Sequence, residues 1–451
     1  MKNIFSSLRI LFTAVFVILS LLSCQKREGE LKWYKGNLHT HTFWSDADAF
    51  PEYIAKWYKV HGYNFLAFTD HNILLRTPVT GQIRGNHVII DNELWQRLPE
   101  EAIAFSSYLD LFGEKWVETQ PDKDSGYLQV RLKTFAEFQN LFEEQDKFIL
   151  MMGQEWYNLV NNPHDLHLYI LNPDEVIPAI ECSENEKVTM IREIIRMVQV
   201  YNQKTGRKVS PVLAHPLNKW CITAEMMLEA EDLRFFEVYN GHPNVNRFAD
   251  EFHAGTDRIW DIVLSKRLET GKGKLLYGVA ADDAHKYHSE GATPGRGWVM
   301  VRSAELSEES IHDALDKGEF YSSTGVIIKD LSYDRKHIHI EIEPQEGVEY
   351  ITEYIGTLSG FDSGSKPAID IYGNEISDAS RIYSEDIGKV LLSSNDLSSS
   401  YAFQGNELYV RVRIRSSANQ IDQVTGEVIG KQQAWCQPVV VAKRKPGKNK
   451  W

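Results

Sequence analysis

From Trp33 to about Lys329, short apolar runs alternate with segments of helical period. "YNFLAFTDHN", "KFILMMGQEW", "DLHLYILNP", "VSPVLAHP", "LRFFEVYNGHP", "KLLYGVAADDAH" and "GWVMVRS" read as strands ending in polar residues. They lack the apolar–polar alternation of a half-solvated strand, which predicts burial on both faces. "PEYIAKWYKVHG" predicts a helix with Ile54, Trp57 and Tyr58 on one face and Gly62 as its stop. "EKVTMIREIIRMVQVYNQKTG" predicts another, striped by Ile191, Ile194, Ile195 and Val198. Together they predict parallel strands covered by helices, a barrel-type α/β domain over residues 33–329. Chemistry in such domains gathers at the C-terminal strand ends. Residues 74–147 break the rhythm and read as an insertion, with helix-like pieces in "RLPEEAIAFSSYLDLFG" and "KTFAEFQNLFEEQ". It is expected either to roof the active site or to lie on the barrel's side.

After Gly325 the period changes. Short β-like runs separated by turn residues predict a small all-β, sandwich-like domain over residues 330–442. Val410, Val412 and Ile414 alternate with Arg411, Arg413 and Arg415, predicting one buried face and one solvated arginine face. A mainly structural role is expected for this domain. Tyr401, Tyr409 and Trp435 are possible glycan surfaces, with at least one of them packed in the core. Residues 443–451 read as a loose basic tail.

The N-terminus stands apart from the fold. Lys2 and Arg9 precede an apolar run from Ile10 to Leu22, which is short for a membrane span, so residues 1–23 read as a signal peptide rather than an anchor. "LLSC" resembles a bacterial lipobox, which implies lipidation at Cys24 and a tether over residues 24–32. The absence of Asp after that cysteine favours an outer-membrane lipoprotein, facing either the periplasm or the cell surface. The formal charge of −14 argues against a nucleic-acid partner. Cys182, Cys221 and Cys436 are an odd, widely spaced set and make no disulfide framework.

The ionisable residues carry the chemistry. His39 and His41 project to the same side of an extended segment. Asp46, Asp70 and His71 follow, then Glu155, His164, His167, His215, Glu237, Asp282, Asp283 and His285, several of them just after an apolar run. Burying so many polar groups without mutual satisfaction would be severely destabilising, and metal coordination removes that difficulty. Mixed imidazole and carboxylate donors suit Zn, Mn or Fe, the carboxylates leaning toward Mn or Fe. No P-loop or GxGxxG fingerprint implies a nucleotide cofactor.

"HTHTFWSD", "TDHN", "GQE", "LHLYIL", "AHP" and "DAH" occur in an order that resembles the motifs of the polymerase and histidinol phosphatase (PHP) superfamily. The resemblance spans residues 36 to about 325, apart from the insertion. It implies a distorted, seven-stranded β/α barrel with two or three divalent transition metal ions. It implies a first metal position at His39, His41, Glu155 and Asp283. Glu155 would bridge to a second with His167 and His215, and Asp46, His71 and His285 would serve a third. Asp70 and Asp282 would orient ligands. Hydrolysis of a small-molecule phosphate ester is the expected reaction, with Arg296 and Lys286 as anion contacts. The alternative keeps the metals but acts on an acidic oligosaccharide, with Tyr157, Tyr239 and His242 as acid or base. A non-catalytic metal-containing surface protein is the third reading.

Overall fold

A computed structural model describes residues 30–76, 95–157, 166–178 and 186–441, together with the strand pair Ile83–Arg84 and His87–Val88. The segment read as a signal peptide, together with Cys24, His164, Cys182 and residues 443–451, lies outside the described residues. Seven strands form the barrel: β1 (Lys32–Asn37), β2 (Phe65–Phe68), β3 (Ile149–Tyr157), β4 (His167–Leu171), β5 (Pro211–Leu213), β6 (Phe235–Asn240) and β7 (Tyr277–Ala281). They pair in that order. A parallel bridge between Thr40 and Ala284 brings the chain after β7 back to the chain after β1. His41 N–H donates to the Ala284 carbonyl and Asp283 N–H to the His39 carbonyl, each at 3.1 Å. The ring is thereby closed at the end where the polar residues collect.

The expectation of uniformly parallel strands needs one correction. β4 runs antiparallel to both β3 and β5. Too few residues separate Tyr157 from His167 for a helical crossover, so the chain can only turn back. His167 opens the inverted strand opposite Tyr157, which returns it to the rim where the other strands end.

The predicted helices form for legible reasons. α1 (Pro51–Val60) starts with Pro51 at its first turn, buries Ile54 and Tyr58, and is followed by Gly62 at φ 76°. α2 (Ile103–Phe112) and α3 (Phe135–Phe142) belong to the insertion. "RLP" is no helical lead-in, because Trp95–Pro99 is a strand paired with Tyr127–Arg131. α4 (Lys187–Thr205) buries Ile191, Ile194, Ile195 and Val198 and ends at left-handed Gly206. The described residues 95–147 of the insertion dock on the barrel's side. Tyr108 stacks on Phe50 at 4.0 Å, and Phe138 meets Phe68 edge-on. Its Tyr108 hydroxyl and Trp116 Nε1 donate to the buried Glu52 carboxylate of α1. None of residues 95–147 lines the metal cavity described below.

Beyond β7, β8 (Trp298–Ser303) pairs antiparallel with β1, and β9 (Phe320–Ser323) pairs with β8. β9 leads directly into the C-terminal sheet, so the second domain is hydrogen-bonded onto the barrel. A three-stranded sheet of Ile328–Tyr333, His337–Ile342 and Ser398–Ala402 packs over it, with Ile338, Ile340, Val410, Val412 and Ile414 in the sandwich core. The arginine row is solvated only at one end: Arg415 is exposed, Arg413 half-buried and Arg411 buried. Helix α5 (Ala224–Glu229) is followed by α6 (Thr256–Thr270), whose Asp257 and Asp261 meet that row. Arg411 is 1% exposed and forks onto both Asp261 oxygens at 2.7 and 2.8 Å. Arg413 and Arg415 pair with Glu353. Tyr401, Tyr409 and Trp435 are all buried and present no glycan surface.

Candidate metal centre

The rim of the barrel gathers nine side chains by local rules. His39 and His41 lie two residues apart on the extended continuation of β1, so their rings reach the same side. Their Nε2 atoms stand 3.1 Å apart. His39 Nε2 is 3.2 Å from Glu155 Oε1 and 3.4 Å from Asp283 Oδ1. His41 Nε2 is 3.2 Å from Glu155 Oε2 and 3.3 Å from the same Asp283 oxygen. Donors about 2.0–2.2 Å from one ion sit roughly 2.9–3.5 Å apart, whether four or six surround it. These four residues have that spacing.

Glu155 extends the group. Its Oε1 lies 3.1 Å from His167 Nδ1 and 3.4 Å from His215 Nε2, and its Oε2 lies 3.0 Å from His71 Nδ1. A third set surrounds Asp46, with His285 Nε2 at 3.3 Å, His71 Nε2 at 3.6 Å and His41 Nδ1 at 3.8 Å. The two ring nitrogens of His71 thus face different sets. Described residues His41, Asp46, His71 and His285, then His39, His41 and Glu155, then His71, Glu155 and His167 could each hold an ion. Glu155 Oε2 and His215 Nδ1 are buried without a hydrogen bond. Donor type, spacing and these buried atoms fit divalent transition metals bound by nitrogen and oxygen.

The carboxylates and imidazoles of the rim compensate one another's charge. Burial opposes the ionised form of Glu155, but the imidazoles facing it, His39 first and also His71, outweigh it and hold the carboxyl well below its usual range. Asp283 is depressed in the same way, chiefly through His39, against the same cost of burial. For His39, burial is overcome by Asp283, Glu155 and Glu237, which raise it well above the ordinary histidine value. Burial dominates at His167 and pulls it down to about 4, so its ring is neutral and able to donate a lone pair.

The supporting residues hold strained backbone in place. His215 has φ 23° and Asp283 φ 51°, conformations that cost on the order of 1–3 kcal/mol each. Glu237 Oε2 accepts the His215 N–H at 2.6 Å, while its Oε1 meets His39 Nδ1 at 2.8 Å. Asn240 Nδ2 donates to Glu237 and to Asp283 Oδ2. Glu237 and Asn240 both reach the site because β6 carries a register shift between Glu237 and Tyr239. A regular strand would send residues three apart to opposite faces. Glu237 stood among the sequence candidates without a role, and Asn240 carried no signal beyond its place at a strand end. Glu237→Gln should weaken metal affinity about 10- to 100-fold in a chelator competition. Unchanged affinity would make Glu237 a packing residue.

The remaining sequence candidates fall in several places. Asp70 accepts from Thr42 N–H and from Ser45 Oγ at 2.6 Å, bracing the His41–Asp46 loop. Asp282 accepts from Tyr58 and from three successive N–H groups at 295–297, and does the same for the loop beside Asp283. His242 lines the cavity with Lys219 and Asn244, next to His285. Tyr239 is instead turned by the bulge toward the β-domain, where Gln420 Nε2 donates to its hydroxyl at 2.9 Å. Arg296 is not an anion contact. Its buried guanidinium is committed to Thr293, the Gly241 carbonyl and Asp422 of the β-domain. Lys286 follows His285 but does not line the cavity. Tyr157 ends β3, and its side chain lies outside the described residues.

Fold and site together define a distorted seven-stranded α/β barrel with divalent-metal donors on its rim, continued into a β-sandwich. No protein-family model matches the chain, and no curated protein does. Among solved structures, it is similar to a two-domain protein from Bacteroides vulgatus ATCC 8482 described as containing a predicted PHP-like metal-dependent phosphoesterase. The identity is 12% and the TM-score 0.35, over 90% of this chain and 96% of that one.

Proposed function

We propose that the chain is a metal-dependent hydrolase of small phosphate esters acting outside the cytoplasm. The carrying observation is Glu155, whose two buried oxygens are each shared among imidazoles of neighbouring donor sets. That arrangement suits ions held close together. Bound there, divalent ions would supply acidified water and neutralise charge on the phosphoryl oxygens. His39, His41, Glu155 and Asp283 would hold one ion, and His71, His167 and His215 would extend the set around Glu155.

The rest of the work belongs to the cavity, which encloses about 310 Å³. That volume lies at the lower end for small-molecule sites and selects a compact ester over a polymer threaded through it. His242 is held below its ordinary value by burial, and its Nδ1 accepts the Asn244 N–H at 3.2 Å, so the neutral ring carries its proton on Nε2 at the cavity wall. It is placed to donate a hydrogen bond to the anionic ester or its leaving group. Lys219 and Asn244 line the same cavity and supply a positive charge and an amide toward an anionic ester. The test is phosphate release by the metal-loaded full chain from monoesters, diesters and sugar phosphates. Loss of release when His39 and His41 are both replaced by Ala supports the assignment, and activity surviving that change overturns it.

Extracytoplasmic placement rests on the N-terminal sequence, with Cys24 as the lipidated residue. No helix among the described residues is long and apolar enough to cross a membrane. Cys24→Ala should release the protein from the membrane fraction. A variant that stays membrane-bound with its N-terminal peptide intact would replace the lipid anchor with a spanning one.

A further inference from the structure

A second cleft, of about 220 Å³, lies at the seam between barrel and β-domain and shares no lining residue with the metal cavity. Lys35 of β1 lines it, with Nζ 3.8 Å from the centre of the Tyr63 ring and 4.2 Å from that of Trp298. Among the described residues no carboxylate comes within ion-pair distance of this ammonium. Asp282 acts on it only from further away, and its oxygens are already engaged by Tyr58 and three backbone N–H groups. Burial accordingly brings Lys35 down to about 8, against a smaller opposing effect of Asp282.

The walls supply complementary groups. Trp57 closes the helix side, its ring stacked on His61 at 3.8 Å, and Trp298 closes the barrel side. The β-domain contributes the lip. Asn419 Oδ1 accepts from Lys431 and Gln423 Nε2 donates to the Ile421 carbonyl. The Asn419 NH2 and Gln423 Oε1 make no hydrogen bond among the described residues.

A largely buried cation without a counter-ion costs folding free energy, which its contacts with the Tyr63 and Trp298 rings offset only in part. Two indoles, a free amide donor, a free amide acceptor and an ammonium match one ligand chemistry. A pyranose has apolar C–H faces for the rings, hydroxyls for the amides and, in an acidic sugar, a carboxylate for the ammonium. We propose that this cleft binds a single uronate residue with its carboxylate on Lys35. The volume, below the roughly 300–1,000 Å³ of drug-sized ligand sites, suits one sugar unit. This site is independent of the hydrolase reading and survives its failure.

The test is a tryptophan-fluorescence and saturation-transfer NMR titration of the full chain with methyl β-D-glucuronide and the neutral methyl β-D-glucoside. The glucuronide should bind about ten-fold more tightly, the value of one charge-assisted contact. Lys35→Met keeps the aliphatic stem on the rings and should erase that preference. Gln423→Ala, on an exposed position of the lip, should weaken both sugars. Equal affinity of the native chain for the two sugars, binding of neither at tens of millimolar, or a preference retained in Lys35→Met would each overturn the proposal.

Discussion

Replacing Glu155 with glutamine is expected to lower kcat/KM for phosphate-ester hydrolysis by at least about 10³-fold and to strip metal from the chain. Glutamine keeps the shape and removes what the site uses. The carboxylate presents Oε1 to His39, His167 and His215 and Oε2 to His41 and His71, all within 3.4 Å. A carboxamide has one acceptor, and its NH2 would point at either donor set with the wrong polarity. The residue is 0% exposed, so no solvent can fill in for the missing charge. Removing Asp46 alone should act more mildly, because it serves the outer set and its side chain is 55% exposed. Steady-state kinetics with metal analysis of the same sample checks this. A Glu155→Gln chain with native turnover and metal content would contradict the bridging role.

The second large effect is expected far from the rim. Asp261→Ala should destabilise the protein by about 3–5 kcal/mol in denaturant unfolding, because it strands a buried guanidinium. Arg411 donates to both Asp261 oxygens, and Tyr409 donates to one of them at 2.7 Å. Asp257, at 3.0 Å from Arg411, also pairs with Arg413 and cannot replace a bidentate partner. The cost comes from the unpaired charge rather than from the pair itself. The double change Asp261→Leu with Arg411→Met should therefore recover most of the loss. A single change costing below about 1 kcal/mol would mean that the seam relaxes enough to hydrate the arginine.

What could be read from the chain, and what could not, follows from the range of the forces involved. The apolar runs fall on strands of the structure, and α1 and α4 bury the stripes that their periods mark, because burial of a repeating face is a local pattern. Most rim donors were visible because they follow or open such a run, and Asp46 through its place in "HTHTFWSD". The inversion of β4 was encoded in the short spacing between Tyr157 and His167, a signal of length rather than of hydropathy. The bulge in β6 had no local signature. It turns Asn240 inward and Tyr239 outward against the two-residue alternation, so Tyr239 was misplaced and Asn240 missed. Arg296 and Arg411 failed for another reason. Their charges are buried by Asp422 and Asp261, partners more than a hundred residues away, and no period along the chain announces such a pairing.

The most direct measurement is metal stoichiometry. The full chain, reconstituted separately with Zn, Mn and Fe and freed of loosely held ion, is analysed for elemental content per mole of protein. Two or three ions per chain are expected with the preferred metal, falling to at most one, at the set around Asp46, in the Glu155→Gln variant. Fewer than one tightly held ion in the native chain with every metal would contradict the metal centre and the hydrolase built on it.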